Sequence, residues 1–412
     1  MRTRHLHTTA LWLALTAALA TTECVADPHE FTAEIDMRYV LVDSPYPSFT
    51  EGGIGQLRFD EDHDGVRLGS LMLDATGPVT ETIRYAATAF ATGDGDQNPI
   101  DLTEAYFEWR PYPVNSLRWR TRLGAFYPAV SLENRAVGWQ SLYSISSSAI
   151  NSWLGEELRT IGLETSMTLA GASSGRPFDV NVFGSVYGWN DPAGILIFQR
   201  GWAIHDRQSA LFGHLPRPIV WNPAIQDIEF FDEVDHRPGY YAGAEMKWTA
   251  GHVLRAFRYD NRGDVSATDG REPTWYTKFD ALGARLELPA QTTLIAQYLD
   301  GSTAVGDSPD GEGMIIMDMT SWFALLSVAH GPHRATIRHD RMQLRMDRGG
   351  QYFGGYQNAH AWTAAYLFDL DSHWQLAAEA VRTNGSLNQR AYVGLPVHGT
   401  EQQLQLAVRF TF

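Results

Sequence analysis

Three arginines stand two residues apart in Leu117-Arg118-Trp119-Arg120-Thr121-Arg122-Leu123. On an extended backbone successive side chains point to opposite faces, so the three guanidinium groups share one wall and Leu117, Trp119, Thr121 and Leu123 the other. A row of arginines facing water attracts and lines up anions. Facing hydrocarbon it is excluded, because each would cost about 2–4 kcal/mol near the midplane of a bilayer. The same parity along other extended stretches adds Arg84, Arg338 and Arg409 as cations. Glu108 and Glu164 share that face, together with Glu104, Glu245 and Glu379. A charge left unpaired in a crowded interior is costly, so about half of these groups are expected in ion pairs. The arginine row then gives a lean toward anions.

Catalytic arrangements are weaker. His205-Asp206, Asp235-His236 and His339-Asp340 are neighbouring His and acidic residues of the kind that activate water or a hydroxyl. Adjacent residues on a strand diverge, however, so His339 and Asp340 cannot touch. No Gly-x-Ser-x-Gly elbow and no His-Glu-x-x-His zinc signature is expected to support them. No enzyme, cofactor or metal centre is expected.

The elements that carry these residues are strands. The chain finishes with Leu404, Leu406, Val408, Phe410 and Phe412 on one face and Gln403, Gln405, Ala407, Arg409 and Thr411 on the other. Near its start Phe31, Ala33, Ile35, Met37, Tyr39 and Leu41 alternate with Thr32, Glu34, Asp36, Arg38 and Val40, so the first strand mirrors the last. A bare apolar edge recruits other chains; closing one strand on the other removes it. Counting alternating segments gives about sixteen strands, with tight turns at one end and long loops at the other. Insertions at 127 to 156, with a short helix over Ser147 to Leu154, and at 190 to 238 are too long for plain connections. They are expected to fold inward or cover the mouth. Tyr39, Trp109, Trp119, Trp248, Trp322, Trp362, Tyr366 and Trp374 recur near strand ends, where an aromatic girdle meets a membrane interface. The fold class is therefore all-β, a transmembrane antiparallel barrel with long extracellular loops.

Composition agrees. The formal charge of −16 argues against nucleic acid, and the mean hydropathy of −0.25 excludes a helical bundle in the membrane but not a barrel. Residues 1 to 26 read as a secretory signal peptide: Arg2 and Arg4 precede an uncharged run from Leu11 to Thr22, with small residues for cleavage at Ala18 and Ala20, or at Cys24 and Ala26. Cys24 is the single cysteine, so a chain cut after Ala26 has no disulfide to stiffen it. Residues 27 to 412 form the barrel.

The stretch Arg118-Trp119-Arg120-Thr121-Arg122-Leu123-Gly124-Ala125-Phe126-Tyr127-Pro128 resembles the phosphate-selective porin O and P family, in which an Arg-rich strand leads through Leu-Gly-x-Phe to a proline and an inward loop. The likeness covers roughly residues 104 to 165. It implies a sixteen-stranded trimer in which Arg118, Arg120 and Arg122 line an anion path. Those porins also cluster lysines at the constriction, and here Lys247 and Lys278 are the only two, which counts against phosphate specificity.

The expectation is an outer-membrane porin of the bacterial cell, giving passive diffusion to small hydrophilic or anionic solutes. Small side chains on the inner faces favour an open lumen. Partners are outer-membrane lipid and lipopolysaccharide, the outer-membrane assembly machinery acting on the last strand, and two further copies in a homotrimer. The competing classes are a barrel enzyme of lipase or protease type and a plugged adhesin or scaffold barrel.

Overall fold

The computed structural model describes residues 29–94, 100–172, 175–219, 226–350 and 356–412. The expected leader, Cys24 and the turn residues Ser173 and Ser174 lie outside them. The strands in chain order are β1 (Glu30–Asp43), β2 (Gly65–Pro78), β3 (Ile83–Ala91), β4 (Asp101–Trp109), β5 (Leu117–Phe126), β6 (Thr160–Leu169), β7 (Phe178–Gly188), β8 (His214–Pro216) and β9 (Asp227–Glu229). They continue with β10 (Gly239–Trp248), β11 (Val253–Asp260), β12 (Tyr276–Leu288), β13 (Thr292–Val305), β14 (Ile315–His330), β15 (His333–Arg348), β16 (Tyr356–Asp369), β17 (Trp374–Leu387) and β18 (His398–Thr411). All but β8 and β9, which pair as a small hairpin, form one closed antiparallel barrel of sixteen strands. β7 pairs with β10 across the intervening loop.

Closure comes from the two strands that mirror each other. β1 pairs with β18 in a register that sets Met37 opposite Val408, Tyr39 opposite Leu406 and Leu41 opposite Leu404. All six are exposed on the outer surface, while Asp36, Arg38, Gln405 and Arg409 are buried on the inner one. Closing the sheet pairs every edge backbone group, the condition a chain must meet to cross hydrocarbon with strands. The outer face carries Trp109, Trp119, Trp322, Trp362, Tyr366 and Trp374, all well exposed. Tight turns such as Gly331-Pro332, between β14 and β15, gather at one end with both termini; the long loops gather at the other.

The strand pairing of β13 continues to Val305 and that of β15 to Arg348.

Two loops fill the barrel. The first, 127–159, carries helix α1 (Ala149–Glu157), two to three residues later than expected from the sequence, begun by Ser148, whose hydroxyl accepts the Asn151 N–H. The second, 189–238, carries helix α2 (Ile195–Arg200). Every residue of both helices is buried. Trp153, Leu154, Ile197, Phe198 and Trp202 pack against Phe257, Phe279, Phe323 and Leu325 of the wall. Burial of each such side chain contributes about 1.5–3 kcal/mol, so the loops bind the lumen as a core, not as loose flaps. At Gly194 (φ +111°) α2 approaches the wall so closely that a Cβ would strike the hydroxyls of Thr303 and Thr277.

The expectation of small inner side chains is overturned. On β7 and on β10 to β14 the inner face carries Phe183, Tyr187, Tyr241, Phe257, Tyr259, Phe279 and Phe323, all buried. These strands are apolar on both faces because one meets the outside and the other meets the loops.

Candidate functional site

β5 holds the arginine row as its alternation dictates, with Trp119 and Leu123 outward. The three arginines have different surroundings. Arg118, near the turn end, is exposed and makes no ion pair among the described residues. Arg120 Nη2 lies 3.0 Å from Glu164 Oε1, and its Nε 3.9 Å from Glu108. Arg122 is almost buried; its Nε donates to the same Glu164 oxygen at 3.0 Å, and the guanidinium sits 4.3 Å above the Phe126 ring. Glu164 is completed by Tyr241, whose hydroxyl donates to Oε2 at 2.6 Å. Glu108 also pairs with Arg110, and stands opposite Arg84 in the β3–β4 register. Thr76, Arg84, Tyr106, Glu108 and Arg110 line a cavity of about 330 Å³ at the turn end. Among the described residues neither Arg84, which lines this cavity, nor Arg118, exposed on the neighbouring strand, has an ion pair.

Deeper in, the other two predicted arginines are structural ties. Arg409 Nε binds Asp36 at 2.9 Å. Arg338 is wholly buried: it reaches Asp340 at 2.9 Å, Glu133 at 2.7 Å and the carbonyl oxygens of Ser146 and Ser147 at 2.8 Å. It therefore faces the first loop and not open water, contrary to its expected place on a pore lining. Sequence parity had the direction right; only the inward loop removes the water.

A second tie was not read from the sequence. Arg38 on β1 binds Asp36 at 2.8 Å and Asp206 at 2.5 Å, and Asp206 also takes Arg58 at 3.0 Å. Asp206 lies in the second loop and Arg58 in the loop after β1. Arg38 was visible by the alternation used for the other arginines. Asp206, Arg58 and Glu133 lie in loops that have no period to betray them. Beside this tie Arg38, Ser70, Ser141, Ser147, Asp206 and Gln208 enclose about 10 Å³, room for at most one water. Among the described residues both lumen loops bond the wall near that level.

The His-acid neighbours separate as their strands and loops require. His339 turns outward against Trp362, ring centres 4.5 Å apart, while Asp340 turns inward to Arg338. His205 is buried with Nε2 3.1 Å from Glu156, and Asp206 points to the arginines. Residues 171 to 175 do spell Gly-x-Ser-x-Gly, a match the motif expectation missed. In the chain they stand between strands β6 and β7 and not between a strand and a helix, the context of a nucleophile elbow, and Ser173 lies outside the described residues. Asp191, Glu233 and Asp235 bring carboxylate oxygens within 4.8 Å of one another in the second loop. Burial and the neighbouring Asp235 and Glu233 push the Asp191 carboxyl up to about 6.

A closed barrel of sixteen strands, apolar outside, polar and arginine-bearing at its vestibule and entered by loops from one end, defines a transmembrane barrel of the bacterial outer-membrane porin type. Solved structures agree in fold. The outer membrane channel DcaP of Acinetobacter baumannii superposes with a TM-score of 0.55 at 11% identity, covering 96% of this chain and 100% of that one. The anion-selective porin from Comamonas acidovorans gives 0.51 at 11%, covering 93% and 99%. OprB of Pseudomonas putida gives 0.52 at 9%, covering 93% and 94%. No protein-family model and no curated protein matches the sequence.

Proposed function

We propose that the chain is an outer-membrane channel of the porin type for small hydrophilic solutes, with a lean to anions, and that its two lumen loops hold it shut in this conformation. The observation that carries this reading is the arginine-bearing wall at the turn end: Arg118 is exposed and Arg84 half-buried, neither with an ion pair among the described residues, and Arg120 and Arg122 follow Arg118 on the same wall, held by Glu164. A ring of charge at the narrowest point of a water-filled pore sets its selectivity. The loops are tied by ion pairs at a few points, so conduction requires those ties to release. Phosphate as the preferred anion is the finer reading, resting on the resemblance around residues 104 to 165. The homotrimer, the cleaved leader, and delivery of β18 to the assembly machinery belong to the same proposal, as does the absence of catalysis.

A plugged scaffold or adhesin barrel is the second reading, favoured by the apolar packing of α1 and α2 against the wall. Single-channel recording of refolded protein in a planar bilayer decides between them. Steady steps that reverse on the anion side of a salt gradient support the channel. Silence from correctly folded protein supports the plug.

A further inference from the structure

Asp206 is half-exposed in a run of the second lumen loop whose neighbours Ala203, Ile204, His205 and Arg207 are buried. Among the described residues its carboxylate bonds two guanidinium groups alone: Oδ2 meets Arg38 Nη2 at 2.5 Å and Oδ1 meets Arg58 Nη1 at 3.0 Å. One planar oxyanion is thus clamped between two forks, the geometry by which guanidinium groups recognise carboxylates.

Neither arginine depends on Asp206 for its place. Arg38 gives Nε and Nη2 to Asp36 at 2.9 and 2.8 Å, and Nη1 to Gln405 at 3.1 Å. Arg58 gives Nε and Nη2 to Asp94 at 2.7 and 2.9 Å, and Nη2 also to the Gly69 carbonyl at 2.7 Å. Asp36 serves Arg409 as well, at 2.9 Å, so Arg38, Arg58 and Arg409 share Asp36 and Asp94, and Asp206 is the third acid. The neighbouring inward acids have other partners. Glu34 accepts from Gln140 at 2.9 Å, Glu379 accepts the Ile145 and Ser146 N–H groups at 2.8 and 3.0 Å, and Glu401 pairs with Arg390 at 2.5 Å. With the loop lifted, the two forks stay fixed and the arginines are one ion-pair partner short.

We infer that Arg38 and Arg58 form a binding site for the carboxylate of a small organic acid, with Asp206 as its built-in occupant. A solute carboxylate that takes its place frees the second lumen loop, a step that rests on the reading of the chain as a channel its loops hold shut. Entry is at the open edge of Asp206. Its side chain is 16% exposed, against 1% for Arg38 and 2% for Arg58, and it borders the one-water space beside Ser141 and Gln208. A tethered carboxylate outcompetes a free one through its high local concentration. Exchange is therefore favoured where fixed cations gather anions, as the exposed Arg118 does at the turn end.

The test uses full-length protein refolded in detergent micelles, with isotope-labelled acetate as the probe, titrated by NMR against a sodium chloride background of fixed ionic strength. Asp206→Ala vacates the site, so this variant should bind acetate about 10-fold more tightly than the parent does, and adding Arg58→Gln should reverse that gain. A second measurement needs no variant. Parent protein in sodium acetate should be cut by protease between residues 200 and 212 several-fold faster than in sodium chloride of equal ionic strength. Equal acetate binding by Asp206→Ala and the parent, or a gain that Arg58→Gln leaves intact, overturns the site. Equal cutting in the two salts overturns the release of the loop. Neither readout uses conductance, so silence in a planar bilayer would count against the channel reading alone.

Discussion

Arg338 on β15 and Glu133 in the first lumen loop meet at 2.7 Å with both side chains wholly enclosed. Around them Asp340 takes Arg338 on one side and the Ala149 N–H on the other, so the wall strand, the loop and the start of α1 share one network. Removing one member of a buried pair costs about 3–5 kcal/mol, because the partner is left charged and dry. Arg338→Met is therefore expected to lower stability to urea by about that amount. It should also release the first loop and yield conductance steps larger than those of the parent. A variant as stable as the parent would show that the network holds nothing.

Arg120 and Arg122 share one acid, Glu164. Replacing both with Ser leaves Glu164, among the described residues, bonded to Tyr241 alone, a net change from positive to negative at that place on the wall. The reversal potential in a salt gradient should move toward cations. An unchanged ion preference removes these two arginines from the permeation path.

The barrel was legible in the sequence because its signal is local: period-two alternation names the inward residue on β1, β5, β15 and β18 without any tertiary knowledge. Arg118, Arg120, Arg122 and Glu164 came out on one wall for that reason. The loop-filled lumen was not legible. Burial of Arg338 depends on Glu133, which lies 205 residues away in a loop without a period. The apolar inner wall was the one available hint. Ile315-Ile316-Met317-Asp318-Met319 and Trp322-Phe323-Ala324-Leu325-Leu326 on β14 put apolar side chains on both faces. A strand buried on both faces reads as a nearly continuous apolar run.

Asp206 ties the second lumen loop to two elements at once, Arg38 at 2.5 Å and Arg58 at 3.0 Å. Asp206→Asn leaves both guanidinium groups short of charge, although Asp36 and Asp94 still hold them. The loop should detach while the barrel survives. Limited proteolysis of inserted protein is expected to cut between residues 200 and 212 in the variant and to spare the parent. Equal protection, together with equal conductance, would mean that packing of α2 alone retains the loop.

The acidic cluster of the second loop gives a dependence on pH whose sign can be fixed in advance. Asp191 accepts the N–H groups of Val234 at 2.6 Å and Asp235 at 3.0 Å, yet burial, followed by the charges of Asp235 and Glu233, raises its carboxyl to about 6. A folded-state value above the unfolded one means that the folded loop holds the proton more tightly. The stabilising contribution is therefore complete below the ordinary aspartate range and is lost as pH rises through about 6. Above it three carboxylates repel with their oxygens within 4.8 Å. Hydrogen exchange at Val234 and Asp235, corrected for the intrinsic rate, should quicken between pH 4 and pH 7 with a midpoint near 6. Asp191→Asn should abolish that step while leaving exchange in β10 untouched. A step that persists in the Asn variant, or the lack of any step in the parent, would sink the role given to Asp191.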